Sequence, residues 1–277
     1  MEIITSRSNP RIKQVRALRQ RKARQEGELF IVEGIRPVGE AVEADVSLEA
    51  IYYAPERLRS VYAQSLIQQL SGRGIDCFTV SGEVFESITD KDNPQGILAV
   101  ARQPKHELES LSEGNFKWGV ALVDPQDPGN IGTVLRTIDA VGASGLLLLS
   151  GRDTISGMVD AYHPSAVRAS MGTIFWRPVV KAPFSKFVQW ARRNQYHIYG
   201  SSAHAETELE EIEIFHSPAI LLMGSEREGL TAKQSSICEQ MIRLPMLGRA
   251  TSLNLAVATG IILYDMLKKQ DRSKHSL

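Results

Sequence analysis

The sequence predicts an α/β fold, and three features carry that expectation. Short apolar runs bounded by glycine or proline alternate with helical stretches along most of the chain. The two C-terminal runs, over 219–223 and 241–244, each end in a glycine-bearing loop that opens a helix. No early strand is followed by a GxGxxG turn; the glycines cluster late instead, at 224–230 and 248–252.

The elements follow in order. Ser6-Arg7-Ser8-Asn9-Pro10 starts a basic helix over 10–25, because proline in the first turn leaves no helical hydrogen bond unmade, and Gly27 ends it. A strand over 29–32 turns at Glu33-Gly34 into a helix over 35–44. Strand 50–53, helix 55–70, strand 75–80 and short helix 84–88 come next. The Asp92-Asn93-Pro94 turn then leads into strand 96–101. Residues 104–117 are polar and carry Pro104, Ser110, Ser112 and Gly114, so they read as a linker.

A second domain opens with strand 118–123. Two Asx-Pro turns within 124–130 stop it, and Asp127 or Asn130 caps a helix that runs to about 141. The two aspartates there are turn residues, not metal ligands. Strand 146–149, helix 164–171, strand 174–176, helix 184–194 and strand 197–200 follow. Ser201 and Ser202 end that last strand, where α/β sheets hold ligands.

Residues 219–223 form an unbroken apolar run, which suits a strand buried on both faces. Gly224 and Gly229 flank the polar stretch 225–228, and glycine lets backbone approach a ligand closely. Strand 241–244 breaks at Pro245. Ser252 then caps a helix to 267 that is apolar on nearly every side. Such a helix is either buried within the monomer or buried on one side and paired on the other.

A length of 277 residues allows one large domain or two, and 43% apolar content supports a sizeable core. Formal net charge is zero, but its distribution is uneven. Residues 1–24 hold Arg7, Arg11, Lys13, Arg16, Arg19, Arg21, Lys22 and Arg24 against Glu2 alone, a formal +7. That segment reads either as a polyanion-facing end or as a solvated helix face. Cys77 and Cys238 show no CxxC spacing, which argues against a disulfide framework or a zinc site and fits a reducing cytoplasm. The histidines show no HxxxH or HExxH spacing, so no metal is expected. Neither a membrane span nor a secretion signal is expected, since no apolar run is long enough for either.

Three stretches together carry a specific signal: NIGTVLRTIDAVGA at 130–143, MGSEREGL at 223–230 and LPMLGRATSLNLAVATGIILYD at 244–265. With these motifs in this order the chain resembles the SpoU family of RNA 2′-O-ribose methyltransferases, in the SPOUT superfamily. The stretch FIVEGIRPVGEAVEA at 30–44 is similar to the L30e-like substrate-binding domain that precedes the catalytic domain in many SpoU enzymes. The resemblance implies an RNA-binding domain over 1–103, a linker over 104–117, and a SPOUT domain with a deep trefoil knot over 118–277. It also implies S-adenosylmethionine as methyl donor, rRNA or tRNA as substrate with rRNA favoured, and a homodimer. The knot enters only through the resemblance, because true knots are nearly absent from proteins.

Carried over position by position, the resemblance implies a donor pocket built from backbone around Gly224, Leu244 and Leu253, joined by Met223 and Ser201 at strand ends. The polar functional set is Asn130, Arg136, Glu226, Ser252 and Asn254. Methyl transfer to a ribose hydroxyl is a displacement that needs a positioned nucleophile, a route for its proton and an in-line methyl. A guanidinium with a pKa above about 12 and no acceptor is a poor base. Arg136 is therefore expected to orient the ribose or its neighbouring phosphate and to lower the hydroxyl's pKa. Asn130 and Asn254 are expected to orient loops and substrate, Glu226 to fix the second-motif loop and Ser252 the third. Two competing readings are an RNA-binding protein that keeps the fold without catalysis, and a SPOUT base methyltransferase. The intact polar set argues against the first; acceptor chemistry is not visible in residues.

Overall fold

The computed structural model describes residues 3–270. The chain packs as two units. One holds the described residues up to Pro104 together with Tyr162–Trp176; the other holds Lys105–Ala161 and the described residues from Arg177 onward.

The first unit carries a four-stranded sheet, β1 (Leu29–Glu33), β2 (Leu48–Tyr53), β3 (Asp76–Thr79) and β4 (Ile97–Arg102), in the order β1-β4-β2-β3. β4 runs antiparallel to both neighbours, and β2 and β3 are parallel. Its helices are α1 (Pro10–Ala17), α2 (Arg21–Gly27), α3 (Ile35–Glu43), α4 (Val61–Gly72) and α5 (Gly82–Ile88). The expected single basic helix is thus two. The buried Arg24 guanidinium donates to the carbonyls of Leu18 and Arg19 at 2.6 and 2.7 Å, taking up acceptors where α1 stops. The third helix of the expected series starts later than Pro55, at Val61, where the Ser60 hydroxyl accepts from the Ala63 N–H.

The second unit begins with residues expected to be a linker, and they are packed. Leu108, Leu111 and Phe116 are buried in its main apolar cluster, the Trp190 indole donates to the Leu111 carbonyl, and the Tyr196 hydroxyl donates to that of Phe116. Then come β5 (Trp118–Val123), α6 (Pro128–Ala140) and β6 (Leu146–Ser150). The next helix, α7 (Pro164–Ala169), lies in the segment that packs with the first unit, where Tyr162 and Phe175 meet Phe30 at ring-centroid distances of 4.8 and 6.3 Å. The expected strand at 174–176 is a single 3₁₀ turn, Thr173–Phe175, following Gly172 in the left-handed region. The real strand is β7 (Val179–Pro183), flanked by prolines that hid it. α8 (Phe184–Arg193), β8 (His197–Ser201), β9 (Thr207–Glu208), β10 (Ala219–Met223), α9 (Ala232–Ser235), β11 (Gln240–Arg243) and α10 (Leu255–Lys269) complete the unit.

These seven strands form a wholly parallel sheet in the order β7-β6-β5-β10-β8-β11-β9. β5, β6 and β10 are buried along their whole length, as their unbroken apolar sequences require. Because every strand points the same way, all the loops after strands gather at one sheet edge. The last helix starts at Leu255 with Asn254 as its cap, not at Ser252; the Asn254 Oδ1 accepts from the N–H groups of Ala256 and Val257 at 2.9 and 3.3 Å.

Close packing under β5 depends on a missing side chain. A Cβ on Gly119 would lie 2.5 Å from the Phe116 ring and 2.7 Å from the Gly145 carbonyl oxygen. Gly119→Ala is expected to lower stability by about 1–3 kcal/mol in denaturant unfolding. Gly248→Ala, which meets nothing within 4 Å, should stay within about 0.5 kcal/mol of wild type. Equal effects of the two changes would refute this account of the packing.

Candidate active site

Three loops at the carboxyl edge of the sheet build the site. After β5 the chain reverses sharply: Asp124 sits at φ 46°, and its carboxylate accepts from the Gly151 N–H at 3.0 Å, tying this loop to the one after β6. Asp127 caps α6 by accepting from the Gly129 N–H at 2.8 Å, with Pro128 in the first turn. This start places Asn130 in the first turn of α6, where it is 7% exposed.

The second loop follows β10. A Cβ on Gly224 would fall 2.0 Å from the Gly229 carbonyl carbon and 2.3 Å from the Leu230 nitrogen. The glycine is therefore required by the loop's closure on itself. Gly229, at φ +65°, completes the bend and donates to the Ser225 carbonyl at 3.0 Å.

The third loop precedes α10, and here the three motifs meet. The Asn254 Nδ2 donates to the Asn130 Oδ1 at 3.0 Å, and the Asn130 Nδ2 donates to the Glu226 Oε1 at 2.9 Å. The Glu226 carboxylate also accepts from the backbone N–H groups of Gln126 and Asp127 at 2.9 and 3.4 Å. Every donor in this chain points toward the carboxylate, so each bond polarises the next. Burial alone would push the Glu226 carboxyl up; the hydrogen bonds from Asn130, from its own backbone N–H, and from Gln126 and Asp127 outweigh burial and hold it below its ordinary value.

The residues expected to line a donor pocket fall at the ends of neighbouring strands. Ser201 closes β8, Met223 closes β10 with Gly224 next to it, and Leu244 follows β11. From Leu244 to Leu253 no backbone N–H or C=O is hydrogen-bonded to another described residue. Leu247 in this stretch is 99% exposed and Leu253 is 37% exposed. Apolar side chains beside unengaged backbone donors and acceptors match the two demands of an adenine ring: an apolar slot and polar edges to satisfy.

Two members of the expected polar set stand apart from the hydrogen-bonded chain. Ser252 is exposed and makes no hydrogen bond among the described residues. Arg136 is exposed on α6, and its guanidinium has no hydrogen bond or ion pair among them. Asp124 was passed over in the sequence because aspartate before proline reads as ordinary turn chemistry; its left-handed conformation is the signal that only coordinates give.

Comparisons with known proteins agree with this geometry. The model of the SpoU rRNA Methylase family matches residues 117–264, and that of the MRM3-like substrate binding domain matches residues 9–99. The chain is 31% identical to the 23S rRNA (uridine(2479)-2'-O)-methyltransferase of Streptomyces viridochromogenes, covering 96% of this chain and 92% of that protein. It is 29% identical to the 23S rRNA (guanosine(2553)-2'-O)-methyltransferase RlmP of Bacillus subtilis, covering 96% and 99%. Among solved structures, the AdoMet-bound rRNA methyltransferase from Sinorhizobium meliloti superposes with a TM-score of 0.85 at 32% identity, covering 100% of this chain and 98% of that one. The SpoU methyltransferase AviRb from Streptomyces viridochromogenes, in complex with the cofactor AdoMet, gives 0.82 at 29% identity, covering 94% and 97%.

The carboxylate at the centre of the site fixes a pH dependence. A depressed folded-state pKa means that the folded chain binds fewer protons than the unfolded one in the acid range. The contribution of Glu226 is therefore present above its ordinary value of 4.5 and is lost as pH falls through its lowered folded value. Glu226→Gln should flatten the fall in stability below that point, measured as unfolding free energy against pH. An unchanged slope would contradict the hydrogen-bond assignment.

Proposed function

The chain belongs to the SpoU rRNA methylase family, and from that premise we propose that it is an S-adenosylmethionine-dependent methyltransferase acting on a ribose 2′-hydroxyl of rRNA. The hydrogen-bonded chain Asn254–Asn130–Glu226 carries this reading, because it joins one polar residue from each of the three motifs at a single point. The strand ends at Ser201, Met223, Gly224 and Leu244, with the unengaged backbone through Leu253, fit the donor's adenosine. When bound, the donor supplies an electrophilic methyl on a sulfonium. The remaining tasks fall to the chain itself: hold the loops in register, place the acceptor hydroxyl in line, and keep water out.

Glu226, Asn130 and Asn254 perform the first task. With the carboxylate already engaged by Asn130 and two backbone N–H groups, Glu226 serves as a brace for the first-motif loop and not as the base. Arg136, whose guanidinium is unengaged, orients the ribose or its adjacent phosphate and stabilises the oxyanion that forms as the proton leaves. Ser252 has no protein partner to hold, which leaves its hydroxyl for the ligand. The first unit grips the RNA outside the catalytic site, through the exposed cations Arg7, Arg11, Lys13 and Lys22. Two free cysteines and an rRNA substrate both suit the cytoplasm.

We propose a homodimer built on α10. Val257, Ile261 and Tyr264 are 51%, 44% and 49% exposed and recur at helical spacing on one face. With Thr133 and Thr137 of α6 and Gly260 they line an open groove of about 650 Å³. A second copy of the same face would cover it, and Arg136 sits on the α6 helix that forms the groove's other wall.

Two experiments test these assignments. Transfer of labelled methyl to rRNA, followed by nucleoside mass spectrometry, should yield one 2′-O-methylnucleoside. Arg136→Ala should reduce that transfer by at least about a hundredfold while donor affinity in calorimetry stays within about twofold. Full activity in this variant would discard the role. Ile261→Asp should convert a dimer to a monomer in sedimentation velocity; a wild-type chain that sediments as a monomer would rule the dimer out.

A further inference from the structure

A polar cavity of about 440 Å³ lies at the carboxyl ends of β5, β6 and β10, walled by the loops after those three strands. Cavities that hold small ligands run from roughly 300 to 1,000 Å³. It is not the donor cradle: Ser201, Met223, Gly224, Leu244 and Leu253 are all absent from its lining. We infer that this cavity takes one nucleotide of the RNA strand that carries the acceptor ribose, with its phosphate held between Arg152 and Arg227. The inference rests on the RNA methyltransferase reading above.

The guanidiniums are the first argument. Arg152 and Arg227 both line the cavity, both are exposed, and neither guanidinium makes a hydrogen bond or ion pair among the described residues. Two carboxylates also line it, Glu228 and Asp124, the latter accepting from the Gly151 N–H. Formal charge in the lining is even, so it is the two unengaged guanidiniums that favour an anion, because their planar forks suit phosphate oxygens.

The second argument is a fixed, unmet donor. Gln234 is 9% exposed, and its Oε1 accepts from the Thr231 N–H at 2.8 Å as part of a capping box at the start of α9. That bond sets the amide's orientation, so its Nε2 faces away from the cap, and this group has no partner among the described residues. Gln234 lines the cavity and its amide nitrogen is open to solvent there, so a ligand acceptor can reach it. A carbonyl or ring nitrogen on a base edge would satisfy it. Met158, 7% exposed, supplies an apolar surface in the same wall, and a thioether packs well on an aromatic face. Anion fork, donor and apolar surface are what the phosphate, edge and face of a nucleotide require.

Position is the third. β10 lies between β5 and β8, so its loop borders the cavity on one side and the donor strand ends on the other. A strand entering the cavity would pass next to the place where the methyl is delivered.

The test uses the full chain with uridine 3′,5′-bisphosphate as probe, followed by calorimetry. The probe should bind wild type in the presence of saturating S-adenosylhomocysteine. Arg152→Ala/Arg227→Ala should weaken it by at least about tenfold, since two charge-assisted contacts are lost. Gln234→Glu, which keeps a cap acceptor but replaces the donor with a carboxylate, should weaken it by a similar factor. Donor affinity should stay within about twofold in all variants, and for rRNA the double variant should raise KM with kcat nearly unchanged and make the salt dependence of binding shallower by about one to two charges. The inference is overturned if S-adenosylhomocysteine displaces the probe, if inorganic phosphate binds as tightly, or if the double variant binds the bisphosphate like wild type. Probe binding as described with no methyl transfer to rRNA would remove the enzymatic reading and leave the nucleotide site standing.

Discussion

One buried carboxamide holds the catalytic edge together. Asn130 accepts from Asn254, 124 positions away in sequence, and donates to Glu226, 96 positions away. Its side chain is nearly inaccessible, so both ends of the amide must be matched inside the protein. A carboxamide, with an acceptor on one end and a donor on the other, bridges an amide donor and a carboxylate. An aspartate here would face Glu226 with like charge, and a leucine would leave both neighbours unmatched. Through this link the loop after β5, the loop after β10 and the cap of α10 are hydrogen-bonded to one another. Glu226 extends it by taking the N–H groups of Gln126 and Asp127, so the reversal after β5 is held by a residue from another motif.

The sheet was legible in the sequence where burial is complete and obscure where it is not. β5 and β10 fall where their apolar runs fall, because a strand covered on both faces has no reason to alternate. β7 was missed because prolines bound it and Lys181 interrupts it; at the sheet's edge such residues cost little. The break between α1 and α2 comes from a side chain, Arg24, folding back on carbonyls, and no periodicity reports that. The polar stretch 104–117 looked like a linker by composition, yet Leu108, Leu111 and Phe116 are three anchors enough to pack it down. The motif residues marked the right loops. They did not reveal that Gly224 is needed for loop closure, or that Asn254 rather than Ser252 starts α10. Those depend on which atoms meet.

Charge in this protein is sorted by engagement more than by count. The basic N-terminal segment looks uniform in sequence, but its cations divide. Arg16 donates to the Ser87 carbonyl and hydroxyl, Arg19 pairs with Asp90, and Arg24 is buried; these serve the fold. Arg11 lies over the Phe78 ring and remains exposed, as do Arg7 and Lys13. In the second unit the same division separates Arg177, paired with Asp139 at 3.0 Å, from Arg136, Arg152 and Arg227, which have no such partner. A chain of zero net charge gains little long-range pull on a polyanion. On the proposed reading its hold on RNA comes from local exposed cations, those of the N-terminal segment and the unengaged guanidiniums on α6 and on the loops after β6 and β10.

The sheet order then gives the division of labour a geometric basis. Parallel strands bring every following loop to one edge, and the place of β10 beside both β5 and β8 sets its loop between two neighbourhoods. On the β8 and β11 side the backbone through Leu253 is unengaged and lined with leucines, which suits an uncharged adenosine. On the other side the cavity wall carries Arg152 after β6, Arg227 from the β10 loop and the Gln234 amide from α9, which suits a phosphorylated strand on the proposed reading. A methyl group passing between two large substrates must travel along one line, so both must be held from opposite sides of a common boundary. On the proposed assignment the β10 loop is that boundary, and a boundary that moved would ruin the alignment. This is why the glycine that opens it closes against its own backbone, and why Glu226 ties it to the loop after β5.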